Sequence, residues 1–448
     1  MRASAARRAA LPSSPMIRHL STAARRAALP SDRLSFAREH LMAGLAPPTW
    51  GDLEIQSAKG SWLTAADGAT YLDFTCGIGV TNTGHCHPKI VRAIQAQAEA
   101  LLHGQVSIGL HSPLVALVEE LMAGVLPASH ERVMVSTTGA EAVENAVRIA
   151  KASTGRQNII SFQGGYHGRS AATLALTRSK TAYGAGSFPH VAGCFSAPFP
   201  YETQSPGLGV DGALYQLDLV LKQQTPPADT AAIIIEPVLG EGGYVPAPAA
   251  FLQGLRERCD AHGILLILDE VQCGVGRTGR MWAHEHSGVT PDILVMAKGI
   301  GSGLPLSAVS TTAAIAGRTL PGTLGGTYAG NAVACAAALA TLDVLAEERL
   351  VENAAARGDQ LLDGLRALQA RHPDLIRDVR GVGLMIGLEL DAPAGAAAAL
   401  SRRCAAEQKL LLLPTSVFEV VRMIPPLTVS EEECDDALAR LGAALAES

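Results

Sequence analysis

The chain has 448 residues, 48% of them hydrophobic but only 4% aromatic, and a formal net charge of −6. That length allows two or three domains around a large core, and the acidic balance, with a sequence pI near 6.1, argues against nucleic acid or an anionic membrane surface as a main partner. No run of about 18 residues, the length needed to span a bilayer, is free of charge, glycine and proline, and the eight scattered cysteines lack any Cys-x-x-Cys spacing, which suits free thiols in a reducing compartment.

Residues 1–31 stand apart. They carry Arg2, Arg7, Arg8, Arg18, Arg25 and Arg26 with no acid before Asp32, and Ala-Ala-Arg-Arg-Ala-Ala-Leu-Pro-Ser occurs at 5–13 and again at 23–31. An acid-free leader rich in Arg, Ser and Ala resembles an organellar transit peptide. The alternative is a start codon assigned too far upstream, with Met16 or a later residue beginning the protein. The fold is expected to begin after Ser31. The expected location is cytoplasmic, or the mitochondrial matrix if the leader is a transit peptide.

From about residue 130, apolar strands alternate with helical stretches. Val133-Met-Val-Ser reads as a short strand, followed by a helix from about Ala140 to Ala152 with Val143, Val147 and Ala150 on one face. Asn158-Ile-Ile-Ser-Phe, Ala231-Ala-Ile-Ile-Ile-Glu, the run from Ile264 to Asp269 and that from Ile293 to Met296 follow. Each is nearly all apolar, as strands buried on both faces of a mostly parallel sheet must be. This is α/β architecture. An alanine-rich helix, about 331–348, leads out of the domain, and Leu384–Leu390, Leu410–Leu413 and Val420–Ile424 read as strands. Ser430 and Glu433 form a capping box at the last helix. The expected organisation is a large domain over 86–348 and a smaller α+β domain formed by 32–85 with 349–448.

Chemistry concentrates at the strand ends. Lys298 closes the Ile293 strand and is followed by Gly299, Gly301 and Gly303, which are expected to let a ligand approach the backbone; burial lowers a lysine's pKa, as a Schiff-base lysine requires. Asp269 ends the Ile264 strand. An acid and a lysine on two core strands match what pyridoxal phosphate needs, one to salt-bridge the ring nitrogen and one to carry the aldehyde. Thr137-Thr-Gly139-Ala140 joins a strand to a helix, where open N–H groups and the helix dipole favour a phosphate. Tyr166 and His167 follow the next strand, with an aromatic fit for stacking, and Arg169 is suited to a carboxylate. Glu236 and Glu241, after another core strand, read by themselves as surface carboxylates. Arg422 lies in an apolar strand, and a buried charge needs a partner or an anionic ligand.

Three patterns point elsewhere. Gly274-Val-Gly-Arg-Thr-Gly279 has dinucleotide spacing, but no long helix or ribose-binding acid follows at the expected distance. His85-Cys-His87 and His284-Glu-His286 look like metal ligands without a second ligand cluster, so turn or core histidines and no metal are expected.

Taken in order, these segments resemble the class III aminotransferases, pyridoxal-phosphate enzymes of fold type I, and most of all the members acting on 4-aminobutyrate. The likeness runs from about Ala46 to the C-terminus and is carried by Asp269-Glu-Val-Gln272, Arg277-Thr-Gly, Ala297-Lys298-Gly and Gly326-Thr327-Tyr. It implies that Lys298 holds the cofactor and shuttles a proton, that Asp269 keeps the ring nitrogen protonated, and that Gln272 meets the ring's phenolic oxygen. It implies that Gly139 and Ala140 hold the phosphate together with Thr327 of a second subunit, that Tyr166 or His167 covers the ring, and that Glu236 supports the cofactor from nearby. For substrate it points to Ile78, Arg169, Glu241 and Arg422. Arg169 takes the carboxylate distal to the reacting amine, Arg422 the α-carboxylate of the keto acid, and Glu241 pairs with Arg422 when an ω-amine has no carboxylate there. Ala140 departs from the pattern, many relatives having Ser or Thr there, so only backbone contacts remain at that position. The implied activity is ping-pong transfer from 4-aminobutyrate to 2-oxoglutarate by a homodimer, possible as a dimer of dimers. The alternatives are the same chemistry on N-acetylornithine, ornithine, β-alanine or another amine, an aminomutase or decarboxylase of the same fold, and a nicotinamide-dependent oxidoreductase.

Overall fold

The structure, a computed structural model, describes residues 32–45, 49–415 and 417–446. The arginine-rich leader and Ala46 lie outside the described residues. The chain divides into two compact units, one ending at Glu54 and one from Ile55 onward. In the first, the Arg33–His40 helix starts from Asp32, whose carboxylate accepts from the Ser35 N–H at 3.0 Å. Every candidate site residue belongs to the second. No helix among the described residues is long and apolar enough to cross a membrane.

The second unit is organised by a seven-stranded sheet in the order Arg132–Ser136, Ser307–Thr311, Ile293–Met296, Leu265–Asp269, Thr230–Ile235, Asn158–Phe162, Cys194–Ala197. Neighbours run parallel except Ser307–Thr311, which is antiparallel to both of its own. Successive residues of a strand point to opposite faces, and here both faces are cores. Ile233, Ile235, Leu266, Leu268, Leu294 and Met296 feed one cluster. Ile234, Ile267, Ile293 and Val295 feed the other, against Val143, Val147 and Ala150 of the Gly139–Thr154 helix. That explains the unbroken apolar runs in the sequence.

Two strands of this sheet carry no such run. Cys194–Ala197 is a short edge strand. Ser307–Thr311 is rich in hydroxyls and still fully buried. Its polar groups are satisfied locally: the Ser307 hydroxyl donates to the Thr138 carbonyl (2.8 Å), Ser310 Oγ meets His130 Nδ1 (2.8 Å), and the Thr311 hydroxyl donates to the Asp292 carbonyl (2.7 Å). A buried hydroxyl with a partner costs little, so hydrophobic patterning misses this strand.

The alanine-rich helix spans Ala332–Glu347, its start capped by the Asn331 carboxamide, which accepts from the N–H groups of Val333 and Ala334. The expected strand over Leu410–Leu413 divides. Leu410–Leu411 pairs in parallel with Thr70–Asp73 in a sheet that also holds Ile55–Lys59 and Trp62–Ala65, whereas Leu413–Pro414 joins Val420–Met423 in a second sheet with Met385–Leu390 and Ile376–Val382. The capping box forms as expected, Ser430 Oγ accepting from the Glu433 N–H and Glu433 Oε2 from the Ser430 N–H. The Glu433 carboxylate also receives the Ser61 hydroxyl (2.8 Å) and the Trp62 indole N–H (2.9 Å), so the last helix is bonded to the Trp62–Ala65 strand.

Arg422 lies on Val420–Met423, opposite Gly387. A Cβ at Gly387 would fall 2.8 Å from the Gly243 carbonyl. The missing side chain lets the 240–244 turn lie close over this strand, and the Arg380 guanidinium fixes it by donating to the same carbonyl at 2.8 Å.

Candidate active site

The predicted residues converge because parallel strands deliver their C-terminal ends to one edge of the sheet, where ligand crevices of such sheets form. Ser136, Phe162, Ile235, Asp269 and Met296 end their strands there. Each is followed within a few residues by a candidate: Gly139 and Ala140, Tyr166 to Arg169, Glu236 and Glu241, Gln272, and Lys298. Ile78 enters from the loop after Thr70–Asp73. Among the non-glycine residues in these loops, Cys76, Ile78, Tyr244, Val275, Lys298 and Ser302 hold left-handed backbone. Such conformations cost on the order of 1–3 kcal/mol each and persist where packing over-determines them.

Lys298, at φ +48°, has an amine with no hydrogen bond or ion pair among the described residues. Burial lowers its pKa to about 8, against the opposing pull of Glu236 and Asp269. The expectation for Gly299 and Gly301 is corrected. A Cβ at Gly299 would meet the Asn82 carboxamide at 2.3 Å, and one at Gly301 the Leu304 carbonyl at 2.2 Å. These glycines admit the protein's own groups, and Asn82 is in turn held by its bonds to the Val275 carbonyl and to Arg277.

Asp269 is buried. Its Oδ2 lies 2.8 Å from His167 Nδ1 and its Oδ1 accepts from the Val271 N–H at 3.1 Å. His167 is thus bonded to the acid, and Tyr166 is half-buried. Gln272 donates to the Ile78 carbonyl at 3.2 Å, and its Oε1 is buried without a partner among the described residues. Glu236 is no surface carboxylate. It is 6% exposed, accepts from the Tyr166 and Gly240 N–H groups at 2.8 and 3.0 Å, and has its pKa pushed up to about 7, by burial first and Asp269 second, with His167 opposing.

At the phosphate-type turn, Thr138 caps the helix and accepts from the Glu141 N–H, and the Glu141 carboxylate receives the Thr137 N–H at 2.8 Å. Gly139 and Ala140 open the helix, so their N–H groups have no intrahelical carbonyl to meet. Thr327 is exposed, beside Gly326, whose Cβ would fall 2.7 Å from Glu141 Oε1.

The remaining residues form one charged array. Arg422 Nη1 donates to Glu241 Oε2 at 2.8 Å and its guanidinium lies 5.4 Å from the Tyr244 ring centre. Burial would raise the pKa of Glu241, but Arg422, the Tyr183 hydroxyl and Lys180 outweigh it and hold the carboxyl below its usual range. The ion pair is therefore fully charged at neutral pH. Arg169 is exposed; its Nε donates to the Tyr166 hydroxyl at 3.2 Å and its guanidinium lies 4.5 Å from the Tyr183 ring. Ile78 is 48% exposed.

Sequence reasoning missed Tyr183, Lys180, Tyr244 and Asn82. Tyr183 and Lys180 lie in a loop of small residues with no periodicity, so nothing in the sequence marks them. Tyr244, three residues beyond Glu241, was within reach as the aromatic of that motif. The decoys are accounted for by internal partners. Gly274–Gly279 wraps Arg277, which is fully buried and donates to the Leu384 and Pro425 carbonyls and to Asn82 Oδ1. His85 meets Asp73, His87 Glu348, His284 Glu270 and His286 Thr278.

Comparison with known proteins places this geometry. The aminotransferase class-III family matches residues 48–445. The 5-aminovalerate aminotransferase of Pseudomonas putida is 43% identical over 88% of this chain and 93% of its own. The 4-aminobutyrate aminotransferase of Escherichia coli is 42% identical over 83% of this chain and 88% of its own. Among solved structures, an amine transaminase from an uncultivated Pseudomonas species, in its pyridoxal-phosphate-bound form, superposes with a TM-score of 0.84 at 33% identity, covering 91% of this chain and 98% of that one.

Proposed function

The chain belongs to the class III aminotransferases, pyridoxal-phosphate enzymes of fold type I, and we propose that it moves the amino group of an ω-amino acid, 4-aminobutyrate foremost, to 2-oxoglutarate by a ping-pong mechanism. The observation that carries this reading is the pair of buried Arg422 with Glu241, joined through Tyr183 to Arg169. An arginine whose carboxylate partner is part of the protein suits a pocket that must accept substrates with and without a carboxylate at that end.

The residues present fit the cofactor. Gln272 Oε1 is a buried acceptor in want of a donor, Lys298 has a part-buried amine whose pKa desolvation lowers, and the helix at Gly139 offers open N–H groups to a phosphate. Pyridoxal phosphate, when bound, supplies an aldehyde to capture the substrate amine and a ring that takes up the electron pair released as a C–H bond breaks. Lys298 is the residue that would hold the aldehyde, and its Nζ would be the group that takes up and returns the proton of the substrate carbon. An amine whose pKa is lowered by burial is suited both to take and to return a proton near neutral pH. Asp269 would keep a proton on the ring nitrogen, its carboxylate held by the bond to His167. Gln272 would meet the phenolic oxygen, Tyr166 would cover the ring, and the Gly139 and Ala140 N–H groups would hold the phosphate. Glu236 ties the Tyr166 and Gly240 loops together beneath the site.

Substrate selection follows from charge. Arg169 anchors the distal carboxylate of either substrate, with Ile78 as an apolar wall. With an ω-amine bound, Arg422 stays paired to Glu241; with a keto acid or α-amino acid, the α-carboxylate takes Arg422 and Glu241 gives way. We infer a homodimer in which Thr327 reaches the partner's phosphate. Supporting this, Leu102, Ile108, Leu110 and Tyr328 are exposed, and an apolar groove of about 510 Å³ lies beside them, lined by Val106, Leu110, Val115, Val135, Leu324 and Ala329; an uncovered apolar patch of this kind marks an interface. We propose a cytoplasmic location, which the scattered cysteines without Cys-x-x-Cys spacing suit.

A second reading is favoured by the 43% identity to 5-aminovalerate aminotransferases: a donor one carbon longer. The test is a panel of amino donors of graded length, with N-acetylornithine, ornithine and β-alanine included, against 2-oxoglutarate and pyruvate. The reading requires the highest kcat/KM for 4-aminobutyrate with 2-oxoglutarate. A preference for 5-aminovalerate transfers the assignment to the longer donor, and a preference for donors without a distal carboxylate removes the role of Arg169.

A further inference from the structure

The two oxygens of the Glu241 carboxylate face different partners. Oε2 accepts from Arg422 at 2.8 Å. Oε1 accepts from the Tyr183 hydroxyl at 2.7 Å and lies 3.6 Å from the Lys180 ammonium. Only the first contact is needed for the exchange at Arg422. The second is built by a separate loop, with Tyr183 in the Thr181–Gly184 turn and Lys180 just before it. Both groups are held where they are. Lys180 Nζ lies 4.2 Å and the Arg169 guanidinium 4.5 Å from the Tyr183 ring centre, and the Tyr166 ring meets it edge-on at 5.3 Å.

We propose that Tyr183 and Lys180 are positioning residues that form a second seat for Glu241, holding its carboxylate when a substrate α-carboxylate occupies Arg422. The inference rests on the exchange between Glu241 and Arg422 set out above. A carboxylate whose side chain is only 19% exposed cannot be released into the site unpaired, because the loss of its partner in a desolvated pocket is strongly unfavourable. With Oε1 already seated, leaving Arg422 breaks one contact and keeps the other. The charges agree. A bound ω-amino acid brings one carboxylate, so with Glu241 there are two anions against Arg169, Arg422 and Lys180. A dicarboxylic substrate brings two, and three anions then face three cations. Lys180 is the cation that completes that balance. The Tyr183 hydroxyl stays protonated through the working pH range, since burial and the neighbouring Glu241 both raise its pKa, so it remains a donor to Glu241 throughout.

The test uses holoenzyme and measures the two half-reactions separately from the cofactor's absorbance, with glutamate and 4-aminobutyrate as probes. In Tyr183→Phe and in Lys180→Met, the apparent Kd for glutamate should rise about ten- to a hundredfold more than that for 4-aminobutyrate, the range for losing a hydrogen bond to a charged acceptor, with the limiting rate of the glutamate step far less affected. Lys180→Arg should restore glutamate binding. In a Glu241→Gln background neither substitution should add to the effect, since the group they hold is no longer charged. An equal rise for both substrates, or additive effects in the Glu241→Gln background, overturns the proposal and makes the loop merely structural. Glu241→Ala separates the two levels of inference. If it slows both half-reactions equally, the exchange at Arg422 and the second seat fall together. If it spares glutamate and slows 4-aminobutyrate while Tyr183→Phe and Lys180→Met shift neither ratio, only the second seat falls.

Discussion

Replacing Lys298 by Met should stabilise the cofactor-free enzyme even as it ends catalysis. Methionine keeps the length and volume of the side chain and leaves the left-handed backbone in place, so the change removes little besides the charge. In the folded protein burial brings the Lys298 pKa from the ordinary 10.5 to about 8. At about 1.4 kcal/mol for each tenfold change in proton affinity, the charged amine costs the fold about 3 kcal/mol. The direction follows from proton counting. Between pH 8 and 10.5 the unfolded chain holds a proton on this amine that the native one has shed, so the wild type gains stability as pH rises through that window. The cost is therefore fully present below pH 8 and relieved above 10.5. Thermal unfolding of both cofactor-free proteins between pH 7 and 10 measures it. The Lys298→Met protein should be the more stable at pH 7, and the gap should narrow steadily above pH 8. No stabilisation, or a gap that does not depend on pH, would show that Lys298 is solvated or paired and would remove the physical basis for its reactivity.

Asp269→Asn should leave the cofactor bound yet slow both half-reactions by several orders of magnitude, since the amide cannot hold the ring nitrogen's proton; a loss under about tenfold, worth only about 1.4 kcal/mol of barrier, contradicts that role. Arg169→Ala should raise the apparent Kd of 4-aminobutyrate and of 2-oxoglutarate together, because both anchor a carboxylate there; a change in one alone would move the distal carboxylate elsewhere. Thr327→Ala should weaken cofactor retention on dialysis without altering the sedimentation of the dimer, and a wild-type monomer that keeps full activity at high dilution would refute shared sites.

The reacting pair was legible because strand ends are legible. Asp269 and Lys298 each follow an apolar run long enough to be a buried strand, and a charge placed at such an end has few bland explanations. Arg422 was legible for the same reason, as a cation inside Val420–Met423. Hydroxyl-rich Ser307–Thr311 escaped because its hydroxyls are satisfied by Thr138, His130 and Asp292 on other segments, and burial of a satisfied polar group leaves no periodic trace. Glu236 read as a surface carboxylate by itself because its two partners are backbone N–H groups, of Tyr166 and Gly240, and a backbone donor has no sequence signature. Gly299 and Gly301 carried the right residue type and the wrong reason: they make room for Asn82 and the Leu304 carbonyl.

What the sequence determined by itself is therefore local: which segments bury both faces, where they end, and which reactive side chains stand at those ends. What only the tertiary structure decided is the set of partners: that His167 braces Asp269, that Gly387 lets the Glu241 turn lie over the Arg422 strand, and that Lys180 and Tyr183 reach the far oxygen of Glu241. Periodicity and capping act between residues a few positions apart and so leave a pattern in the chain. A contact such as that between residues 183 and 241 depends on where the sheet sends two loops, and side chains that are neighbours in space keep no spacing in sequence by which to be found.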